Sequence, residues 1–430
     1  MFTVLIVAVV VVVLALSGVM TGVAMIIAGA LGLWLSFGDQ AWNQIGVSVW
    51  ASANSGTLAA IPLFVLMGEI LSTSRAGSDL FNWLTRVGRR VPASSALGTV
   101  VVGAMISCVA GSLAAVTSIV TRTTYPRLRK SGLPVDQSLG LVASVGALGI
   151  MLPPSVTLII FGSLTETAIS DLFAAAILPG IIQIFLFAAM AVWAWKRAAR
   201  KHPAPMEAPG QEQGRQPERD TIGAAWQFPV AILVVLGGFL AGWVTPVEAA
   251  ALGATLALIM TLINGEISWL RLRSATRRTI VSTAMIMFIL VGAQMLSTTL
   301  AFQGFGRDAT QFIEALPVSP LVILMLIALF YVVLGILFDG LSMLVLTLPF
   351  VFPAIVGLGY DPIWLGVVLV TCVQIAELSP PVGVNLFVAQ HLTKEPIEAV
   401  WRGVIPYMGM LCIMLVLLLV FPQIVTSFAS

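Results

Sequence analysis

Apolar residues fill this chain in long stretches, and the polar positions between them recur in the same order in each half. In the first half the pattern predicts membrane spans over 2–16 and 19–36, a mixed stretch over 39–56, and a span over 57–74. Residues 76–90 change character. Leu80, Trp83, Leu84 and Val87 recur with the helical period, while Asp79, Arg86 and Arg90 point elsewhere, which predicts an amphipathic helix lying in the interface. An apolar pair follows, 93–110 and 112–126, hinged at Ala110-Gly111-Ser112. Its second arm has about 15 residues, roughly 22 Å of helix, which is short of a ~30 Å hydrocarbon core. The pair therefore reads as a re-entrant hairpin within 93–126. The half closes with 135–165, broken at Pro153-Pro154, and a span over 172–195.

The second half repeats the series: spans over 228–244, 247–264 and 279–300, an amphipathic piece over 303–317, a hairpin over 318–356, a broken helix over 362–391 and a span over 403–422. A shift of 227 residues superposes the halves on the residues that bend backbones. Pro126 meets Pro353, Gly132 meets Gly359, Pro153-Pro154 meets Pro380-Pro381, Pro179 meets Pro406, and the hinge residue Ser112 meets Asp339. The expected organisation is a first repeat, 1–195, a linker, 196–221, and a second repeat, 222–430. The linker is rich in Lys and Arg, then in Pro, Glu, Gln and Gly, a composition that favours disorder.

Composition narrows the class. With 59% hydrophobic and 9% charged residues and a mean hydropathy of +1.04, the chain is far from the roughly 25% charge of soluble domains. The fold class expected is an all-α polytopic membrane protein. No basic segment with a cleavage site marks the first span as a signal peptide. A net charge of +2 gives no reason to expect a nucleic-acid partner. Cys108, Cys372 and Cys412 are far apart in apolar segments, without the spacing of a metal or disulfide framework. Each half makes an odd number of crossings if the hairpins return to their own side, so the second repeat is inserted upside down. Of 21 Lys and Arg residues, only Arg307 then falls opposite the rest. The excess of positive charge places that side in the cytoplasm and both termini in the periplasm.

The double prolines carry the chemistry. Pro153 and Pro154 have no N–H to give the carbonyls of Gly149 and Ile150, and membrane interiors tolerate such breaks where backbone lines a cavity. Freed carbonyls are ligands for a small hard cation such as Na⁺, while the helix restarting at Ser155 aims N–H groups at an anion. In the second half the freed carbonyls belong to Ala376 and Glu377. Paired breaks in the two halves of a transporter mark its central site. The hairpin tips, Gly111-Ser112 and Asp339-Gly340, are small enough to approach both centres. Asp339 reads either as a hinge cap or as a cation or gating group, and Glu377 as a cation or proton partner. Ser155, Thr157 and Asn385 lie on the restarted helices as candidate substrate contacts; Ser and Thr there also bond their own backbone, and Asn385 does so less readily. His391 reads as interfacial.

At these residues the chain resembles the large membrane subunit of tripartite ATP-independent periplasmic (TRAP) transporters. The resembling stretches are Ile61-Pro-Leu-Phe-Val-Leu-Met-Gly68, Gly149-Ile-Met-Leu-Pro-Pro-Ser155 with Gly162-Ser-Leu-Thr-Glu-Thr167, Thr245-Pro-Val-Glu-Ala249 and Pro380-Pro-Val-Gly-Val-Asn-Leu-Phe387. The resemblance implies an elevator-type secondary transporter of the bacterial inner membrane, importing organic anions with Na⁺. It also implies two partners, a small membrane subunit and a periplasmic substrate-binding protein. By the motif match, Gly111 and Ser112 with Gly149 and Pro153 would serve one Na⁺ site, and Gly340, Ala376 and Ser379 the other. The chain departs from the family pattern at Leu113, where a second Ser follows Ser112, at Ser379 for Thr, at Ala376 for Gly and at Glu377 for an apolar residue. These changes bear on ion selectivity and admit proton coupling.

Two other readings compete. One is a self-sufficient dicarboxylate symporter needing no binding protein. The other is an intramembrane serine protease using Gly111-Ser112 with His391, which the repeat disfavours because it pairs Ser112 with Asp339 and not with a histidine.

Overall fold

In the computed structural model, described for residues 2–88, 93–109, 113–201, 223–315, 317, 319–335, 338–381 and 383–427, all regular secondary structure is helical. The first half contains Phe2–Leu16, Thr21–Phe37, Ala41–Ala53, Ala60–Ser72, Ala76–Val87, the hairpin arms Ser94–Val109 and Leu113–Lys130, and Ile169–Lys201. Its broken helix is Val135–Ser144, continued through the turn Val145–Ala147 into Leu148–Met151, and then Val156–Thr165. The second half contains Gln227–Leu240, Pro246–Ile263, Trp269–Phe302, Phe305–Glu314, the hairpin arms Pro320–Leu334 and Gly340–Gly357, the broken helix Pro362–Leu378 and Val384–Thr393, then Ile397–Val420 and Gln423–Thr426.

The helix starts follow from local chemistry. Asp361 Oδ1 accepts from Trp364 N (2.8 Å) with Pro362 in the first turn, and Thr245 and Glu248 form a capping box ahead of Pro246–Ile263. Two elements exceed their expected bounds. The mixed stretch 39–56 contains the helix Ala41–Ala53, and the span expected over 279–300 is one helix of 34 residues, Trp269–Phe302. The latter starts early because Ser268 Oγ caps Arg271 N (3.3 Å) and no Gly or Pro interrupts the arginine-bearing first turns. The corresponding first-half stretch is split at Asn54-Ser55-Gly56. The expected interfacial arm is the helix Ala76–Val87, turned 64° from the preceding Thr57–Ser72. Ile169–Lys201 extends past residue 195, so the linker expected over 196–221 begins as helix; 202–222 lie outside the described residues.

Leu113–Lys130 and Gly340–Gly357, 18 residues each, coincide after the 227-residue shift. Contacts are exchanged both ways between the halves. Val135–Ser144 packs on Ile397–Val420 as Pro362–Leu378 packs on Ile169–Lys201, and Leu113–Lys130 packs on Val384–Thr393 as Gly340–Gly357 packs on Val156–Thr165. An operation that swaps both members is its own inverse, so the relation is an approximate two-fold. Ala147 and Gln374 are themselves 227 apart, and Gln374 Nε2 donates to Ala147 O at 2.7 Å. The axis passes between them. Buried Gln183 closes this centre by donating to Gln374 Oε1 at 2.8 Å. Corresponding helices run in opposite directions: Ala60–Ser72 ends where Trp269–Phe302 begins, with Arg75 N donating to Glu266 (2.9 Å) and Arg278 pairing with Glu69 (2.6 Å).

The helices sort into two bodies. Thr21–Phe37 lies against Trp269–Phe302 and Pro246–Ile263 against Ala60–Ser72, forming a scaffold. Its crossings are glycine-tight: a Cβ on Gly29 would stand 2.7 Å from Met295 Cβ, and one on Gly292 2.5 Å from Met25 Cβ. In lipid, where apolar burial gives helices no drive to associate, such close approach supplies the packing energy. The hairpins, broken helices and closing helices form the second body.

Candidate functional site

Both hairpins reach the helix breaks. In the first half, Ser107, near the end of Ser94–Val109, lies against the turn before the break: its Oγ donates to Val145 O (3.3 Å), and a Cβ on Gly149 would stand 2.8 Å from Ser107 Cβ. Gly111 and Ser112, at the tip itself, lie outside the described residues. In the second half, Gly340 N donates to Glu377 Oε1 at 3.1 Å, and a Cβ on Gly335 would stand 2.4 Å from Ala376 Cβ. Gly340, Ala376 and Glu377 are thus one neighbourhood, and Ser379 adjoins it through its N–H to Ala376 O (3.1 Å). The peptide bonds Pro153-Pro154 and Pro380-Pro381 are both cis.

Side chains at the breaks have visible structural duties. Asp339 Oδ2 accepts from Ser342 N (3.1 Å) and caps Gly340–Gly357, the hinge-cap role. Ser155 Oγ donates to Ile150 O (2.6 Å) and accepts from Leu158 N (3.4 Å). It therefore serves one carbonyl freed by the diproline and starts the next helix, with its single O–H donor engaged in the first of these bonds. Pro153 has no N–H to give Gly149 O. The second restart has Gly383 at its cap position, without a side-chain bond. Thr157 is half-buried and His391 exposed. No group of three or more His, Cys, Asp and Glu comes together among the described residues; the oxygen atoms on offer at the breaks are hydroxyls, carbonyls and the carboxylates of Asp339 and Glu377.

Asn385 stands apart. It is 1% exposed, and neither side-chain atom has a hydrogen-bond partner among the described residues. The point where a Cβ on Gly146 would stand is 3.6 Å from Asn385 Nδ2 and 2.6 Å from Thr117 Oγ1. Thr117 Oγ1 and, one turn on, Thr121 Oγ1 are also buried and unpartnered. Leu113–Lys130 and Val384–Thr393, packed against each other and the turn at Val145–Ala147, thus carry polar atoms with their bonding capacity unused. Native interiors seldom leave such groups orphaned, since each costs about 1–3 kcal/mol. The residues 227 away from Thr117, Thr121 and Asn385 are Leu344, Leu348 and Leu158, all apolar. Thr117 and Thr121 were missed by sequence reasoning, although comparison across the halves carries the signal.

The model of the family described as "Tripartite ATP-independent periplasmic transporter, DctM component" matches residues 8–424. The chain is 26% identical over 405 residues to the Pseudomonas aeruginosa C4-dicarboxylate TRAP transporter large permease protein DctM, covering 93% of this chain and 92% of that one. It is 29% identical over 406 residues to the Ruegeria pomeroyi ectoine/5-hydroxyectoine TRAP transporter large permease protein UehC, with 93% and 92% covered. Its fold is similar to that of the Alcanivorax borkumensis YdaH transporter, with TM-score 0.66 at 14% identity over 89% of this chain and 88% of that one. These relatives are transporter permeases and not enzymes, which removes the protease reading. With its paired breaks and docked hairpins, the chain belongs to the DctM component family of tripartite ATP-independent periplasmic transporters, as a large permease subunit.

Proposed function

We propose that this chain imports a carboxylate-bearing solute with Na⁺ by an elevator movement of the hairpin body against the scaffold, in the bacterial cytoplasmic membrane. The observation that carries this is the docking of Gly340 N–H and Gly335 on Ala376-Glu377 beside one break, matched by Ser107 on Gly149 beside the other. A hairpin docked beside a helix break can close an ion site there and open it when the hairpin lifts. Gly111, Ser112, Gly149 and Pro153 frame one site, and Gly340, Ala376 and Ser379 the other. Asn385 and Thr117 offer donors and an acceptor to the solute. C4-dicarboxylates and ectoine, named for two relatives, share a carboxylate. A small membrane subunit bracing the scaffold and a periplasmic binding protein complete the system.

The conformation is open toward the arginine-bearing end, which the positive charge assigns to the cytoplasm with both termini outside. On that side Ala60–Ser72 barely touches Leu113–Lys130, whereas its counterpart Trp269–Phe302 packs along Gly340–Gly357. One side parted and the other closed is what an alternating-access carrier presents with its site facing inward.

Reconstituted with the small subunit and binding protein, uptake of labelled succinate, or of another carboxylate the binding protein holds, should follow an inward Na⁺ gradient and stop when K⁺ replaces Na⁺. Uptake driven by a proton gradient alone, or undiminished without the binding protein, sinks this reading. In the same assay Asn385→Leu should lower uptake more than Thr157→Val, because only Asn385 is buried with its polar atoms unpaired. The reverse order would move the solute away from Asn385 and toward Thr157 on Val156–Thr165.

A further inference from the structure

Between the two bodies, at the arginine-bearing end, lies a cleft of about 850 Å³. Glu69 lines it from Ala60–Ser72, Ser118 and Arg122 from the first hairpin's second arm, and Ser274, Arg277 and Arg278 from Trp269–Phe302. Arg278 is tied to Glu69 through Nε and Oε2 at 2.6 Å. Arg122 and Arg277 add two further positive charges to the same space. A guanidinium stays charged at any physiological pH, so the cleft is electropositive.

The internal repeat supplies a control within the molecule. The residues 227 away from the four charged ones, Glu69, Arg122, Arg277 and Arg278, are Leu296, Pro349, Trp50 and Ala51, none of them charged. The fold therefore does not require charged groups at this helix junction. Two like charges facing one cleft repel each other, and that arrangement has a use when an anion enters. The low-dielectric walls of a cleft focus the field of its charges and concentrate counter-ions. Paired N–H donors of arginine match a carboxylate or a phosphate oxygen pair.

We propose that Arg122 and Arg277 form an anion subsite in this cleft, holding a carboxylate between the central site and the cytoplasm. Arg122 belongs to the hairpin body and Arg277 to the scaffold, so the subsite is complete in the conformation parted on this side and changes when the bodies slide. A lipid phosphate has the same donor requirement and is the competing occupant. The identification of the carboxylate as cargo rests on the permease reading, whereas the potential in the cleft is measured without transport.

The test is charge-selective thiol labelling of the full chain in phosphatidylcholine vesicles, cleft side accessible. Ser118→Cys is the probe, in a Cys412→Ser background because Cys412 is the exposed cysteine while Cys108 and Cys372 are buried. The anionic sulfonatoethyl methanethiosulfonate should react roughly tenfold faster than the trimethylammonium reagent, relative to their rates with a free thiol. Arg122→Gln with Arg277→Gln should bring the ratio close to that of the free thiol, and the paired Lys variants should keep it high. Millimolar succinate should slow the anionic reagent in the parent and not in the Gln pair. A ratio unchanged by the Gln pair overturns the subsite. Protection by added phosphatidylglycerol without protection by succinate makes it a lipid site and overturns the assignment to cargo. Labelling as proposed without Na⁺-driven uptake would leave the subsite standing and sink the coupling reading instead.

Discussion

Thr117→Val combined with Asn385→Leu should raise the melting temperature of the protein while cutting carboxylate uptake by at least about tenfold. The two effects have one cause. Thr117 Oγ1 and both polar atoms of Asn385 are buried without partners among the described residues, so the folded state bears their desolvation with no bond in return. Each replacement keeps shape and removes the orphaned atoms, which stabilises by about 1–3 kcal/mol per group removed. The sites 227 residues away already hold leucine, at Leu344 and Leu158. Uptake suffers because hydrogen bonds to a charged solute are worth about 1.5–3 kcal/mol each, or roughly a tenfold to hundredfold change. Thermal melting and initial uptake rate, measured on the same preparations, check the pair. If stability and uptake fall together, these atoms serve the fold and the solute binds elsewhere.

Much of the architecture was legible because prolines and glycines act locally. Pro153-Pro154 and Pro380-Pro381 stop helices wherever they stand, and the offset between them needed no three-dimensional knowledge. Leu80, Trp83, Leu84 and Val87 likewise fixed an amphipathic helix by period alone. Side-chain roles were harder to read, since one residue type serves several purposes. Ser155 reads equally well as a solute contact or as a cap, and only the geometry gives its hydroxyl to Ile150 O and Leu158 N. Asp339 likewise has a capping bond, from Ser342 N, that its residue type alone did not specify. The Gln183–Gln374 centre joins residues 191 apart through the two-fold, a relation that no local window contains. Thr117 and Thr121 were hidden because hydroxyls in membrane helices usually bond their own turn.

Symmetry of backbone and asymmetry of chemistry coexist here. Helix bounds repeat across the halves, yet the orphaned atoms of Thr117, Thr121 and Asn385 and the charged groups of the arginine-lined cleft all lie on or against the first hairpin's second arm, and the counterparts of these residues are apolar. A backbone two-fold suits a carrier that must present equivalent gates to both sides of the membrane. The solute itself has no such symmetry, so the groups proposed to meet it, Thr117 and Arg122 from the first half and Asn385 and Arg277 from the second, have no polar counterparts across the repeat. Polar residues whose counterparts are apolar therefore deserve priority in mutagenesis over the shared Gly and Pro positions, which the backbone itself requires.

Gly403→Val should be the most damaging single substitution in the hairpin body. Val135–Ser144 and Ile397–Val420 cross with backbones in contact: a Cβ on Gly140 would stand 1.9 Å from Gly403 O, and one on Gly403 1.9 Å from Asp136 O. Neither obstacle is the movable end of a side chain, so a Cβ can be accommodated only by parting the helices. Overpacking a well-filled core usually costs about 1–3 kcal/mol, and an obstacle made of backbone puts this case at or above the upper end. The separation would also move Leu148–Met151 and its diproline relative to the closing helix, so transport should be lost even in the fraction that folds. The counterparts of Gly140 and Gly403 are Val367 and Ala176, which shows that the matching crossing has room for side chains. Val367→Ile, which adds one methylene at a fully buried site, should cost about 1–3 kcal/mol and less than Gly403→Val. Size-exclusion profiles and melting curves in detergent compare the two variants directly. Should Gly403→Val melt with the parent, the two helices are not in contact at this point, and the packing that holds the first break in place must be drawn differently.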